Sequence, residues 1–219
     1  MDITWLGHAS FRMRGKSVTV VTDPFAKEMV GLSMPGVTAD IVTVSHEHKD
    51  HNNVEFVQGT AAPPKVIRDP GEYEVRGVNI RGVKTWHDVS GGRERGNNII
   101  FVIELDNIRV AHLGDLGHKL LEEQLSEIED VHILLVPVGG FYTIGPETAA
   151  QVVAQIEPKV VIPMHYQVPG LLPEVFEKLQ SVDEFVKALG ATPKHMPSYQ
   201  AKPDTIPEEM ELIILERKA

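Results

Sequence analysis

The segment His46-Glu47-His48-Lys49-Asp50-His51 places three imidazoles and a carboxylate within six residues, directly after the apolar run Ile41 to Val44. In a chain with 10 His, chance yields such an H-x-H-x-D-H pattern only about once in a thousand sequences of this length. A solvated polar loop has no need of it: the imidazoles repel one another once protonated and gain most when a cation holds them. The apolar run reads as a strand that delivers these groups at its end. Side chains on extended backbone repeat every two residues, so His46 and His48 point the same way and can chelate one ion, while Asp50 and His51, beyond a turn, suit another. A mononuclear zinc site needs three protein ligands plus water, so four ligands in one loop already argue for two metals. The chain must therefore fold so that further strand ends meet this loop.

The rest of the first half supplies such strands. Short β-branched runs alternate with turn residues: Ile3 to Leu6, Ser10 to Met13, Ser17 to Thr22, then Val75 to Trp86 around Gly77 and Gly82. Ile99 to Leu105 and Ile108 to His112 flank Asp106-Asn107, whose tolerance of positive φ predicts a two-residue hairpin. After Gly117 the period changes. Leu120, Leu121, Leu125 and Ile128 predict a helix over 119 to 129. Val131 to Val136 reads as a buried strand, Pro146 opens a second helix, Lys159 to Pro163 returns as a strand, and Ser181 to Glu184 has capping-box spacing for a helix to Leu189. Pro193 to Pro207 reads as a long loop before a closing strand, Glu211 to Glu216. Strands first, then alternating helix and strand, imply a mixed class with helices covering sheets, built as one domain over 1–219.

Composition narrows the chemistry. The chain has no cysteine, so any metal sits on nitrogen and oxygen, and disulfides and thiolate nucleophiles are excluded. A net charge of −10 disfavours nucleic acid and anionic membrane as partners. No apolar stretch approaches the roughly 18 residues of a spanning helix, and the N-terminus lacks the apolar core of a secretory signal, so the expected compartment is the cytoplasm. Oligomeric state is left open, a homodimer being the commonest arrangement.

With the loop His46 to His51, the segment Trp5-Leu-Gly-His-Ala-Ser-Phe11 and Thr22-Asp-Pro24, the chain resembles the metallo-β-lactamase superfamily, near its small ascorbate-phosphate-lactonase-like hydrolases. The likeness runs to Tyr166; residues 167–219 match only in being helical with a closing strand. It implies an α+β fold, a four-layer αββα sandwich. It further implies that the later ligands fall on His87, Asp115 and His165, each at a predicted strand end. His46, His48 and His87 would then hold one divalent ion, Asp50, His51 and His165 the other, and Asp115 both, with zinc, manganese and iron all compatible. The implied activity is hydrolysis by a hydroxide shared between the ions, acting on a small ester, lactone or phosphodiester, anionic ones included, with Asp50 and His8 as catalytic groups.

Substrate contacts are carried by weaker signals. Arg93 and Arg95 lie in Ser90-Gly-Gly-Arg-Glu-Arg-Gly96, a stretch that reads as flexible and could clamp a phosphate or carboxylate. Tyr142 and Thr143, in Gly139 to Gly145, suit a pocket rim. His112 reads as a core or ligand-supporting residue, His118 as a residue flanking Asp115 for which a hydrogen bond near the metals is only the lesser reading, and His132 and His195 as structural or exposed. A nuclease of the same superfamily is the rival reading, but it would carry a basic arm or an RNA-binding module. Oxygen-reducing di-iron relatives would have Glu at position 48 and an attached flavin domain. A non-catalytic metal-binding module would have lost ligands, whereas all seven are present.

Overall fold

The β-branched first half folds into short strands, in a computed structural model that describes residues 1–218. Asp2–Gly7 (β1), Ser10–Arg14 (β2) and Thr19–Thr22 (β3) form an antiparallel meander; a short helix, Lys27–Val30 (α1), leads to Thr38–Ala39 (β4), Ile41–Thr43 (β5), Gln58–Gly59 (β6) and Lys65–Ile67 (β7). Strand β5 then runs parallel to β3, with Thr43 opposite Thr22, so the two strands end side by side. Gly71–Val75 (β8), Val78–Trp86 (β9), Asn97–Leu105 (β10) and Ile108–His112 (β11) are antiparallel. The second half alternates: Glu122–Leu125 (α2), Ile133–Pro137 (β12), Pro146–Ile156 (α3), Val160–Met164 (β13), Pro173–Phe176 (α4), Val182–Leu189 (α5), Pro193–Met196 (β14), Tyr199–Gln200 (β15) and Glu211–Leu215 (β16).

Two large sheets result, ordered β15-β1-β2-β3-β5-β7 and β14-β16-β13-β12-β11-β10-β9-β8, beside the small β4-β6 pair. Between them lies a core of Trp5, Phe11 and Met13 from the first sheet with Ile80, Phe101, Ile103 and Val110 from the second, all buried. Helices α3 and α5 pack on each other, and α3 on β12, through Ala149, Val152, Val153 and Phe185. The far face of the first sheet is covered by Phe25, Val30, Phe176 and Leu179, so its helical layer is thin, made of α1, α4 and loops. This is the expected helix, sheet, sheet, helix arrangement. No helix among the described residues is long and apolar enough to cross a membrane.

Two of the hairpin turns use left-handed backbone at both central residues. Asp106 and Asn107 (φ 55° and 64°) join β10 to β11 where the sequence predicts them. The run Val75 to Trp86, by contrast, is not one strand: Arg76 and Gly77 (φ 52° and 78°) fold β8 back on β9. The helix predicted over 119 to 129 shrinks to α2, because the Gln155 side chain occupies both the N–H and the carbonyl of Leu120 and holds it out of a helical turn. Helix α5 begins after Ser181 as expected but without a side-chain cap, since the Glu184 carboxylate accepts from Gln180 instead. Within the supposed loop Pro193 to Pro207, β14 pairs with β16 and β15 with β1. The apolar side of that pairing is supplied by β16, and Pro193 stands first in its strand, where a missing N–H costs little.

Asp40, buried just before β5, ties distant segments together. It accepts from the Thr19 N–H (2.9 Å), the Thr60 hydroxyl and the Arg76 guanidinium at the β8–β9 turn. Burial raises its pKa, but these donors outweigh it and hold the carboxyl below its ordinary value. A depressed folded pKa contributes stability that is complete above the unfolded value and lost as pH falls through the folded one. Asp40→Asn is therefore expected to destabilise by about 1–3 kcal/mol near neutrality. The gap in urea midpoints should hold from about pH 7 down to about pH 4 and narrow only as the pH falls below that; an undiminished gap in strong acid would contradict this.

Candidate metal centre

The predicted metal ligands gather at loops that follow strand ends on one rim of the sandwich. His46 follows β5, His87 follows β9, Asp115 follows β11 and His165 follows β13, while His8 sits in the tight turn from β1 to β2. Four ring nitrogens converge on one oxygen, Asp115 Oδ2: His87 Nε2 at 3.1 Å, His51 Nε2 at 3.3 Å, His165 Nε2 at 3.4 Å and His46 Nε2 at 3.9 Å. Around that carboxylate the ligand atoms fall into two main groups, His46, His48 and His87, and His8, Asp50, His51 and His165, each set within 4.8 Å. His48 is exposed and Asp50 half-buried, which opens the cluster to solvent on that side.

The donor set fits metal ions by what it leaves unsatisfied. Of eight buried side-chain polar atoms without a hydrogen-bond partner among the described residues, six belong to His46, His51, His87, Asp115 and His165. Each such atom ordinarily costs about 1–3 kcal/mol. A fold that orphans His46 Nε2, His51 Nε2, His165 Nε2 and Asp115 Oδ1 at one point is arranged for cations that accept their lone pairs.

The rings are aimed from behind by a residue that sequence reading missed as a site group, Asp23. Because β3 and β5 end side by side, its carboxylate meets the Ser45 N–H (2.7 Å), the Ser45 hydroxyl (2.5 Å) and His51 Nδ1 (2.9 Å). Ser45 Oγ in turn lies 2.9 Å from His46 Nδ1. With Ser45 donating to Asp23, His46 and His51 each donate through Nδ1, which leaves both Nε2 lone pairs facing the centre. Burial, then the charge of His51, pushes the His46 pKa down to about 3 and so favours the neutral, ligating ring. Burial also disfavours a charged His51, but Asp115 and Asp50 outweigh it and hold its pKa well above the usual imidazole range. A metal must displace that proton to bind.

Asn98, also missed, fixes the Asp115 loop. It donates to Thr85 Oγ1 (2.8 Å) and the Leu113 carbonyl (3.0 Å) and accepts from the Asp115 N–H (2.9 Å). Lying within β10, it gave no motif signal. Beside it Gly114 has φ of +54°, and a Cβ there would collide with Asn98 and Ser45, so only glycine lets the loop press this close.

His8 is 2% exposed; its carbonyl accepts from the His165 N–H (3.1 Å), and its Nε2 lies 3.2 Å from Asp50 Oδ2. Burial, then the charge of His165, lowers its pKa to about 4, so the neutral ring donates its Nε2–H to Asp50. The Phe176 ring lies 5.2 Å from His8 and 6.4 Å from His165, and Tyr142 packs on Phe176 at 6.1 Å, forming an aromatic wall. Tyr142 donates its hydroxyl to the Val175 carbonyl, and Arg95 leans on Tyr142 from the other side. Arg93 is exposed with Nε bound to the Ser90 carbonyl, and the Thr143 hydroxyl turns to its neighbour's carbonyl. The stretch 90–96 is not flexible as its glycines suggested, because four of its N–H groups bond the Asp88 carboxylate. His112 is buried against the Ala9 carbonyl (2.7 Å) and receives the Gly114 N–H; His118 accepts from the Trp86 N–H, His132 accepts from the Arg109 N–H, and His195 is exposed.

Residues 2–165 match the family model described as a beta-lactamase superfamily domain. A "UPF0173 metal-dependent hydrolase" of Archaeoglobus fulgidus is 33% identical over 208 residues, covering 81% of this chain and 90% of that protein. A crystal structure from Thermotoga maritima, described as a Zn-dependent hydrolase of the metallo-beta-lactamase superfamily, is 40% identical with a TM-score of 0.81 and covers 99% of both chains. Igni18, a metallo hydrolase of Ignicoccus hospitalis, shares the fold at 21% identity and a TM-score of 0.68, over 92% of this chain and 99% of its own.

Proposed function

We propose, from the premise that the chain belongs to the metallo-β-lactamase superfamily and is one of its metal-dependent hydrolases, that it uses two divalent ions, zinc first among them, to hydrolyse a small ester, lactone or phosphodiester in the cytoplasm. The observation that carries the reading is the convergence of four buried imidazoles on Asp115 Oδ2. His46, His48 and His87 would hold one ion, Asp50, His51 and His165 the other, and Asp115 both, since its two oxygens each offer lone pairs. When bound, the ions supply an acidified water near neutral pH and polarise the scissile carbonyl or phosphoryl group.

The remaining work falls to the chain's own side chains. Asp23 and Ser45 hold the Nδ1 side of His51 and His46 and so aim both Nε2 atoms at the ions. His8 steadies Asp50 through its Nε2–H. Phe176 and Tyr142 exclude water from the His165 side. Arg95 on the rim provides the positive charge that an anionic substrate needs on a protein of net charge −10. That same balance supports a small molecule over nucleic acid as the partner.

The test is to strip the protein of metal, titrate in zinc, manganese or ferrous iron, and assay lactone, phosphodiester and ester panels. Two equivalents per chain should restore hydrolysis together with thermal stability, about 2.7 kcal/mol for each site at a hundredfold excess of free metal over its Kd. Full activity with one equivalent would sink the two-ion reading.

A further inference from the structure

We propose that Asp88, which follows His87, is a positioning residue for substrate specificity: it folds the loop 88–96 into a fixed arch that presents the Arg95 guanidinium to a carboxylate or phosphate of the substrate remote from the scissile bond. This deepens the function proposed above and rests on it. Asp88 is 4% exposed. Its Oδ1 accepts from the N–H groups of Ser90 (2.8 Å) and Gly92 (2.9 Å), and its Oδ2 from those of Glu94 (3.1 Å) and Arg95 (2.8 Å). The loop thus closes around its own carboxylate. Gly92, with φ of +79°, makes the return possible, since a Cβ there would stand 2.9 Å from the Trp86 ring.

The arch begins at one ligand group and ends against the wall of the other. At its start the His87 N–H bonds the Gly96 carbonyl (3.1 Å). At its far end Arg95 Nη1 donates to the Tyr142 carbonyl (3.4 Å), and the guanidinium lies 5.5 Å over the Tyr142 ring, which packs on the Phe176 that faces His8 and His165. Among the described residues Arg95 pairs with no carboxylate, and unlike the other unpaired arginines it lies over an aromatic ring. A half-buried guanidinium held on an aromatic face without a counter-ion, with only Nη1 engaged, keeps Nε and Nη2 as a two-donor edge for an incoming anion. Exposed Arg93, whose Nε is spent on the Ser90 carbonyl, does not share that setting.

The experiment compares wild type, Asp88→Asn, Arg95→Ala and the double variant, metal-loaded, on two esters of equal chain length: mono-4-nitrophenyl adipate, with a remote carboxylate, and neutral 4-nitrophenyl hexanoate. Asp88→Asn should raise KM for the adipate ester roughly tenfold to a hundredfold more than for the hexanoate, and add nothing once Arg95 is gone. Equal losses on both esters, or losses that multiply in the double variant, would overturn the proposal. Should Asp88→Asn not fold, Arg95→Ala alone must show the same preference for losing the adipate ester. If the wild type cleaves neither ester, that result counts against ester hydrolysis in the function proposed above, and the binding comparison then decides the role of Asp88. The same four proteins are then compared by calorimetric binding of adipate, where equal affinities overturn the role of Asp88 and a shared loss in both single variants supports it.

Discussion

Asp115→Ala is expected to abolish hydrolysis and to lower metal affinity by a factor of about 10² to 10⁴, the effect of about 3–5 kcal/mol for removing one partner from a buried charged cluster. Four imidazoles lie within 3.9 Å of the Asp115 Oδ2 that would vanish. Two cations brought together without that carboxylate would repel one another, so occupancy and activity should fall in step. Burial acts against the charged carboxylate, but His165, His51 and His87 outweigh it and hold its pKa well below the ordinary range, so the group is anionic at any working pH. Metal analysis of the purified variant checks this directly. Two ions retained per chain would contradict the bridging role.

The second large effect is expected from a residue that touches no metal. Asp23→Asn should weaken binding of both ions by roughly 10- to 100-fold, the usual consequence of losing the group behind a metal-ligating histidine. One carboxylate orients His51 directly and His46 through the Ser45 hydroxyl, and these rings belong to different ligand groups. An amide at position 23 would point an N–H at groups that are themselves donors, so about 1–3 kcal/mol of folding stability should go as well. Competition with a chromophoric chelator gives the two binding constants separately. A variant that releases one ion and keeps the other at wild-type affinity would refute the shared support.

The ligand loop was legible in the sequence because its chemistry is local: four ligand-type side chains within six residues stay together whatever the fold around them, and His46, His48 and His87 do gather in one group. His87, Asp115 and His165 were legible only as strand ends joined to a family resemblance, since their approach to one point depends on sheet order. Asp23 and Asn98 were not legible as site residues. Their partners come from parallel pairing of β3 with β5 and from the contact of β10 with the Asp115 loop, and neither leaves a mark in spacing. The loop 90–96 misled for the opposite reason. Its glycines suggest freedom, but the carboxylate that removes that freedom sits just before the stretch and is indistinguishable in sequence from any surface aspartate.

The segment 193–215 lies beyond the stretch covered by the family model, yet it inserts β16 between β13 and β14 and lays β15 along β1. It therefore caps an open rung of both sheets at once. A chain ending before residue 193 would keep every proposed ligand and lose that cover, leaving the unpaired N–H and C=O groups of β1 and β13 facing solvent. Such strands template association with other chains, so truncation should show itself first as insolubility rather than as a loss of metal. During synthesis the same edges of β1 and β13 stay uncovered until the segment to Leu215 has been made.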